Sequence, residues 1–300
     1  MEIQLGLPEV QKPLPGHEAV EEGSIAAQLA SVGVGKPFPS DTATPPFSVG
    51  AMIKSLIAGA VAAVALIAAI LGIEILLAMR RTYLPTSPAL KLGGEFGDRG
   101  DKALSFVVLG DSTAAGLGAG TPEHAYPTDL ARSLARAGHF VKLTALGVSG
   151  ARVHDVLTQQ VPQAIAASPD LVFVGIGAND VTHLTSLSSI REDTQAILRR
   201  LRTTGAPVVL AGPPDMRAKA WLEPLRSLAG WRGRQIAAAM ASVARSEQVP
   251  VVALARETGP YFAEHPDTAY ATDDFHPGPA GYRAWAGAIL PALERALAGG

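Results

Sequence analysis

Between residues 104 and 254, five apolar runs of strand length recur, at 104–109, 141–146, 171–176, 207–211 and 250–254. Helix-length amphipathic stretches separate and follow them, near 126–137, 153–167, 190–203 and 228–248, with a last one at 280–298. Strands that read as near-continuous Val, Ile and Leu belong in a sheet buried on both faces, and strands alternating with helices form parallel crossover units. The pattern therefore predicts a doubly wound α/β domain over residues 103–300. In such domains ligands bind beyond the carboxyl ends of the strands, so the residues that follow each strand are the ones to inspect.

Five units of this kind make a flavodoxin-like, three-layer α/β/α domain with a five-stranded parallel sheet. Upstream, residues 55–73 contain no charge. At 1.5 Å per residue they span about 28 Å, close to the ~30 Å of a bilayer's hydrocarbon. The run ends in Arg80 and Arg81 rather than in a small-residue cleavage site, which favours a retained anchor over a signal peptide. A transmembrane helix is expected over 52–81. Arg80, Arg81, Lys91 and Arg99 follow the span, whereas Lys36 and Lys54 precede it. The positive-inside rule then puts the C-terminal domain on the cytoplasmic side. Residues 1–51 are proline-rich and aperiodic and read as a disordered tail, with Met52 as an alternative start. Residues 82–102, rich in Gly and Pro, read as a linker.

Composition narrows the chemistry. The chain has no cysteine, so thiolate catalysis and sulfur-ligated metal are excluded. A net charge of −2 gives no general attraction to nucleic acid. The histidines are scattered without an H-E-x-x-H pattern, so neither a metal nor a cofactor is expected. The glycines at 116, 118 and 120 lack the G-x-G-x-x-G spacing of a dinucleotide loop and read as a loop bordering the cleft.

Four polar clusters fall where the fold rule points. They are Gly110-Asp111-Ser112-Thr113, Gly147-Val148-Ser149-Gly150, Gly177-Ala178-Asn179-Asp180, and Asp273-Asp274-Phe275-His276-Pro277 before the last helix. Together they suit acyl transfer to a serine. A serine hydroxyl needs a base, which neutral histidine supplies, and the imidazole needs a carboxylate on its other nitrogen. Asp273 stands three residues before His276, so in a tight turn its carboxylate can reach the same ring. An oxyanion needs donors, and Gly150 N–H, the Asn179 amide and the Ser112 N–H at an expected helix start are available.

These four blocks resemble, in order, those of the SGNH (GDSL-type) serine hydrolases, over roughly Ser105 to the end; threonine replaces the leucine of the G-D-S-L spelling. The resemblance implies Ser112 as nucleophile, Asp273 and His276 as its partners, and an oxyanion hole of Ser112, Gly150 and Asn179. It also implies metal-independent hydrolysis of esters or thioesters. Its spacing favours Asp273 over Asp274 as the partner of the imidazole. The expected substrate is a small-molecule or lipid acyl ester, with the membrane as the partner of the N-terminal helix. The competing readings are a catalytically silent, membrane-tethered binding module with the same fold, and a phosphate- or nucleotide-binding domain using Asp111 and Asp180.

Overall fold

The computed structural model describes residues 49–299. The expected tail lies outside them, apart from its last three residues, which open the first helix.

That helix, α1 (Val49–Arg80), is long and apolar enough to cross a membrane, with a mean hydropathy of 2.8 over its most apolar window and none of that window buried. Glu74 is the exception on an exposed rod, being only 6% exposed. A strand, β1 (Gly93–Phe96), comes next, followed by β2 (Lys102–Gly110), α2 (Tyr126–Arg136) and β3 (His139–Ala145). A kinked segment then runs through α3 (Val153–Asp155), one π turn (Val156–Gln160) and α4 (Val161–Ala166) into β4 (Leu171–Gly175). The remainder comprises α5 (Ala178–Thr182), α6 (Leu187–Arg202), β5 (Val208–Ala211), α7 (Leu225–Ser246), β6 (Val251–Val252), α8 (Leu254–Glu264), α9 (Pro266–Ala269) and α10 (Pro279–Ala298).

The strands lie in the order β1-β3-β2-β4-β5-β6. Five of them are parallel, and β2 pairs with both β3 and β4. Taken in chain order the five give 2-1-3-4-5, the flavodoxin-like winding, with its switch point beside β2. Alternate residues of one strand feed opposite cores, as the two-residue period of a strand requires. Val107, Leu109, Val172 and Val174 meet α6 and α7, while Phe106, Val108, Leu171 and Phe173 meet α2 and α10. Three layers result.

Two expectations need correction. The supposed linker contributes β1, which pairs antiparallel with β3, so the sheet has a sixth strand. Gly93 and Gly94, both at positive φ, hid a short edge strand with almost no apolar pattern. Leu90, Leu92 and Phe96 of the same segment pack on the α2/α10 core. The second correction concerns Ser112. Residues 111–120 form a run of turns, and the next α-helix begins only at Tyr126. Positive φ at Gly116, Gly118 and Gly120 carries the chain through turns where a helix could not run.

Candidate active site

The Ser112 turn leaves β2 at the switch point. Asp111 braces it, its Oδ1 accepting the Thr113 N–H at 2.9 Å and the Thr113 hydroxyl at 2.8 Å. Burial pushes the Asp111 carboxyl above the ordinary range, against these two hydrogen bonds. From below, the buried Gln160 side chain pairs with Gly110 in both directions: Oε1 accepts the Gly110 N–H at 2.9 Å, and Nε2 donates to the Gly110 carbonyl at 2.8 Å. The π turn carries Gln160 inward on a helix that would otherwise present an apolar stripe. Sequence reasoning passed over Gln160. The available signal was one amide among Val153, Val156, Val161 and Ala164 on the buried face.

The second loop follows β3 and lies against the first. Val148 N–H donates to the Gly110 carbonyl at 3.2 Å. At Gly147 the requirement is space, because an added Cβ would lie 2.5 Å from Ala114 C and Ala115 N. We therefore expect Gly147→Ala to force these loops apart. Overpacking of this kind costs about 1–3 kcal/mol, so the melting temperature should fall by several degrees; an unchanged melt would contradict the close approach. Gly150 has φ +85, a conformation that favours glycine. Among the described residues, neither Ser112 N–H nor Gly150 N–H is given to a protein acceptor.

The third loop opens α5. Asn179 Nδ2 donates one hydrogen to the Ala151 carbonyl at 2.9 Å, which orients the amide and leaves its second hydrogen unused by that bond. The Asp180 carboxylate takes the Val153 N–H at 3.0 Å and so ties α5 to the start of α3.

The fourth loop is a tight turn closed by the antiparallel Tyr270–Pro277 bridge and by Ala271 N–H donating to the His276 carbonyl at 2.8 Å. It sets His276 Nε2 3.1 Å from Ser112 Oγ. On the other side of the ring, Nδ1 lies 2.7 Å from Asp273 Oδ2. Asp273 Oδ1 accepts the N–H groups of Phe275 and His276, each at 3.0 Å. Burial would raise the Asp273 pKa, but the His276 side chain and these backbone donors outweigh it and hold the carboxyl down at about 2. Asp274, at φ +56, turns away to meet Arg81 and Lys219. His183 is exposed and bonds back to the Asn179 carbonyl at 2.8 Å.

A cavity of about 50 Å³ opens beside these groups, with Ser112, Asn179 and His276 on one side and Met216, Phe262 and Phe275 among its apolar walls. The structure thus brings Ser112, His276 and Asp273 into one line of contacts and gathers Gly150 and Asn179 into loops at the same edge of the sheet.

Fold and site together define a class: a doubly wound α/β protein with a Ser–His–Asp constellation at the carboxyl edge of its sheet. Comparison with known proteins gives the family. The chain belongs to the GDSL-like lipase/acylhydrolase family, whose model matches residues 108–284. It is 32% identical over 197 residues to the GDSL-like esterase Rv1075c of Mycobacterium tuberculosis, which covers 65% of this chain. The chain spans 63% of that relative's length. Among solved structures, TesA superposes with a TM-score of 0.53 at 22% identity, covering 64% of this chain and 99% of its own. A lipase/acylhydrolase from Enterococcus faecalis gives 0.54 at 20% identity, covering 64% and 96%. At these identities the two structures establish the fold.

Proposed function

We propose that the protein is a membrane-anchored serine hydrolase that cleaves carboxylic or thio esters through an acyl-Ser112 intermediate. The observation that carries this reading is the pair of contacts through one imidazole, 3.1 Å to Ser112 Oγ and 2.7 Å to Asp273 Oδ2. Ser112 Oγ attacks the ester carbonyl carbon as its proton passes to His276 Nε2. Ionised Asp273 holds Nδ1–H and stabilises the imidazolium. The oxyanion receives Ser112 N–H, Gly150 N–H and the free hydrogen of Asn179 Nδ2. Collapse expels the alcohol or thiol, which takes the proton from His276. Water then attacks the acyl carbonyl, again with His276 as base, and frees the acid and Ser112. The relative named a GDSL-like esterase supports this assignment.

The cavity beside Ser112, walled in part by Met216, Phe262 and Phe275, offers the acyl group an apolar seat. The apolar length of α1 supports the anchor, and the excess of Lys and Arg after it favours a cytoplasmic catalytic domain.

The pH dependence tests the assignment of the base. A protonated imidazole cannot accept the Ser112 proton, so kcat/KM on a p-nitrophenyl ester should fall on the acid side of neutrality. Asp273 remains ionised through that range. Its pKa is depressed in the folded state, so its contribution to stability is present above the ordinary carboxylate range and is lost only as the pH drops toward about 2. Activity lost at pH 5 should therefore return in full at pH 7.5. A flat profile from pH 5 to 8 would count against histidine as the base.

A further inference from the structure

The four residues that leave α1 reach the loop that carries Asp273 and His276. Asp273 Oδ2, the oxygen facing the imidazole, also accepts the Leu84 N–H at 3.3 Å. With the Phe275 and His276 N–H groups on Oδ1, that donor completes a carboxylate receiving four hydrogen bonds. Arg81 clamps the same turn from outside. Its Nε donates to the Asp273 carbonyl at 3.2 Å, and its Nη2 meets Asp274 Oδ2 at 2.6 Å. Tyr83 packs edge-on against Phe275 at 5.3 Å and accepts the Trp221 indole N–H at 3.2 Å. Asp273, Asp274 and Phe275 are thus each held by the segment 81–84.

The helix end that launches this segment is itself fastened. Glu74 Oε2 accepts the N–H of Leu225, the first residue of α7, at 2.8 Å. Glu74 is buried for this reason, and it follows directly on the uncharged run of residues 55–73. Ala78, one turn further, packs on the α6/α7 core. An ordinary tether would need none of these contacts.

We propose that Arg81 and the Leu84 N–H are positioning groups of the hydrolase. In this view the segment following the anchor completes the active site by fixing the Asp273–His276 turn, and the imidazole keeps its alignment with Ser112 only while that segment is seated. The inference rests on the assignment of Ser112, His276 and Asp273 given above. Neither group touches the cavity beside Ser112. Their loss should therefore act on the alignment of the base and not on the capture of substrate. A domain cut at Thr82 would discard Arg81 and Glu74 together.

The test uses the full chain in detergent micelles with p-nitrophenyl acetate. Arg81→Ala is expected to lower kcat about tenfold with KM changed less than about twofold, the size of effect that a small misplacement of a catalytic group produces. Arg81→Lys should recover at least about a third of the lost kcat, since an ammonium can keep one of the two contacts. Asp274→Asn, which removes the ion pairs with Arg81 and Lys219 and leaves the Arg81 bond to the Asp273 carbonyl, should cost about threefold and serves as a second measurement if Arg81→Ala melts early. Arg99→Ala, which deletes the exposed pair with Glu95 on β1, should leave kcat unchanged. Wild-type kcat in both Arg81→Ala and Asp274→Asn, or a loss confined to KM, would overturn the proposal. Full turnover by Ser112→Ala in the same assay would overturn the underlying serine-hydrolase reading instead.

Discussion

Ser112→Ala should abolish ester hydrolysis, with a loss in kcat on the order of 10⁶ where chemistry limits turnover, as the removal of a nucleophile that acts in concert with its base requires. The substitution deletes one hydroxyl. It keeps the backbone N–H proposed as an oxyanion donor, the Asp111–Thr113 bonds that brace the turn, and the Gln160 clamp on Gly110. Its melting temperature should therefore stay within a few degrees of the wild type. That separation of activity from stability distinguishes a nucleophile from a serine that merely shapes the turn. A variant that lost both together would place Ser112 among the structural residues.

His276→Ala should produce a loss of similar size, because a hydroxyl 3.1 Å from a missing base retains its proton. The double variant Ser112→Ala/His276→Ala should be no worse than either single one, since the two side chains act as a unit. Asp273→Asn should cost about 10⁴ in kcat. The amide places an NH₂ or a carbonyl where the charge was, so the imidazole loses both its preferred tautomer and the anion facing the imidazolium. If hydrolysis survived His276→Ala, the base would have to be sought elsewhere in the cavity, and the Ser112–His276 contact would lose its meaning. Steady-state rates with p-nitrophenyl acetate decide all three.

Much of this arrangement is legible in the sequence because parallel strands advertise themselves. Runs such as Leu171–Gly175 are apolar on both faces, and the turn residues after them are polar and glycine-rich. The carboxyl-edge rule then gathers four distant loops before any coordinate is known. Ser112, Asp273 and His276 could be nominated from the order of those loops and from a family resemblance, and it is the spacing implied by that resemblance that favours Asp273 over Asp274.

The remainder was hidden for physical reasons. The edge strand β1 carries two glycines and one aromatic, so neither periodicity nor propensity marks it. The turn at residues 111–120 has the alanine content of a helix, but three glycines at positive φ prevent one. Gln160 and Gly147 act through contacts with distant backbone, which the local sequence marks faintly, by a single amide on an otherwise apolar face and by one glycine in a turn. The largest omission was the segment after α1. Pro85, Pro88 and a run of glycines look like a tether, and nothing in Arg81, Tyr83 or Leu84 taken singly indicates that they would meet Asp273, Phe275 and Trp221. Glu74, the first charge after the apolar run, accepts the first N–H of α7, a contact that nothing in the local sequence announces.

The most direct test of the central claim is covalent capture of the nucleophile. The full chain is incubated with a fluorophosphonate probe at pH 7.5 and digested, and the modified peptide is sequenced by mass spectrometry. Stoichiometric phosphonylation of Ser112, absent from Ser112→Ala and strongly slowed in His276→Ala, is the expected result. An unlabelled Ser112 in folded protein, or a label on another residue that follows hydrolytic activity, would contradict the account.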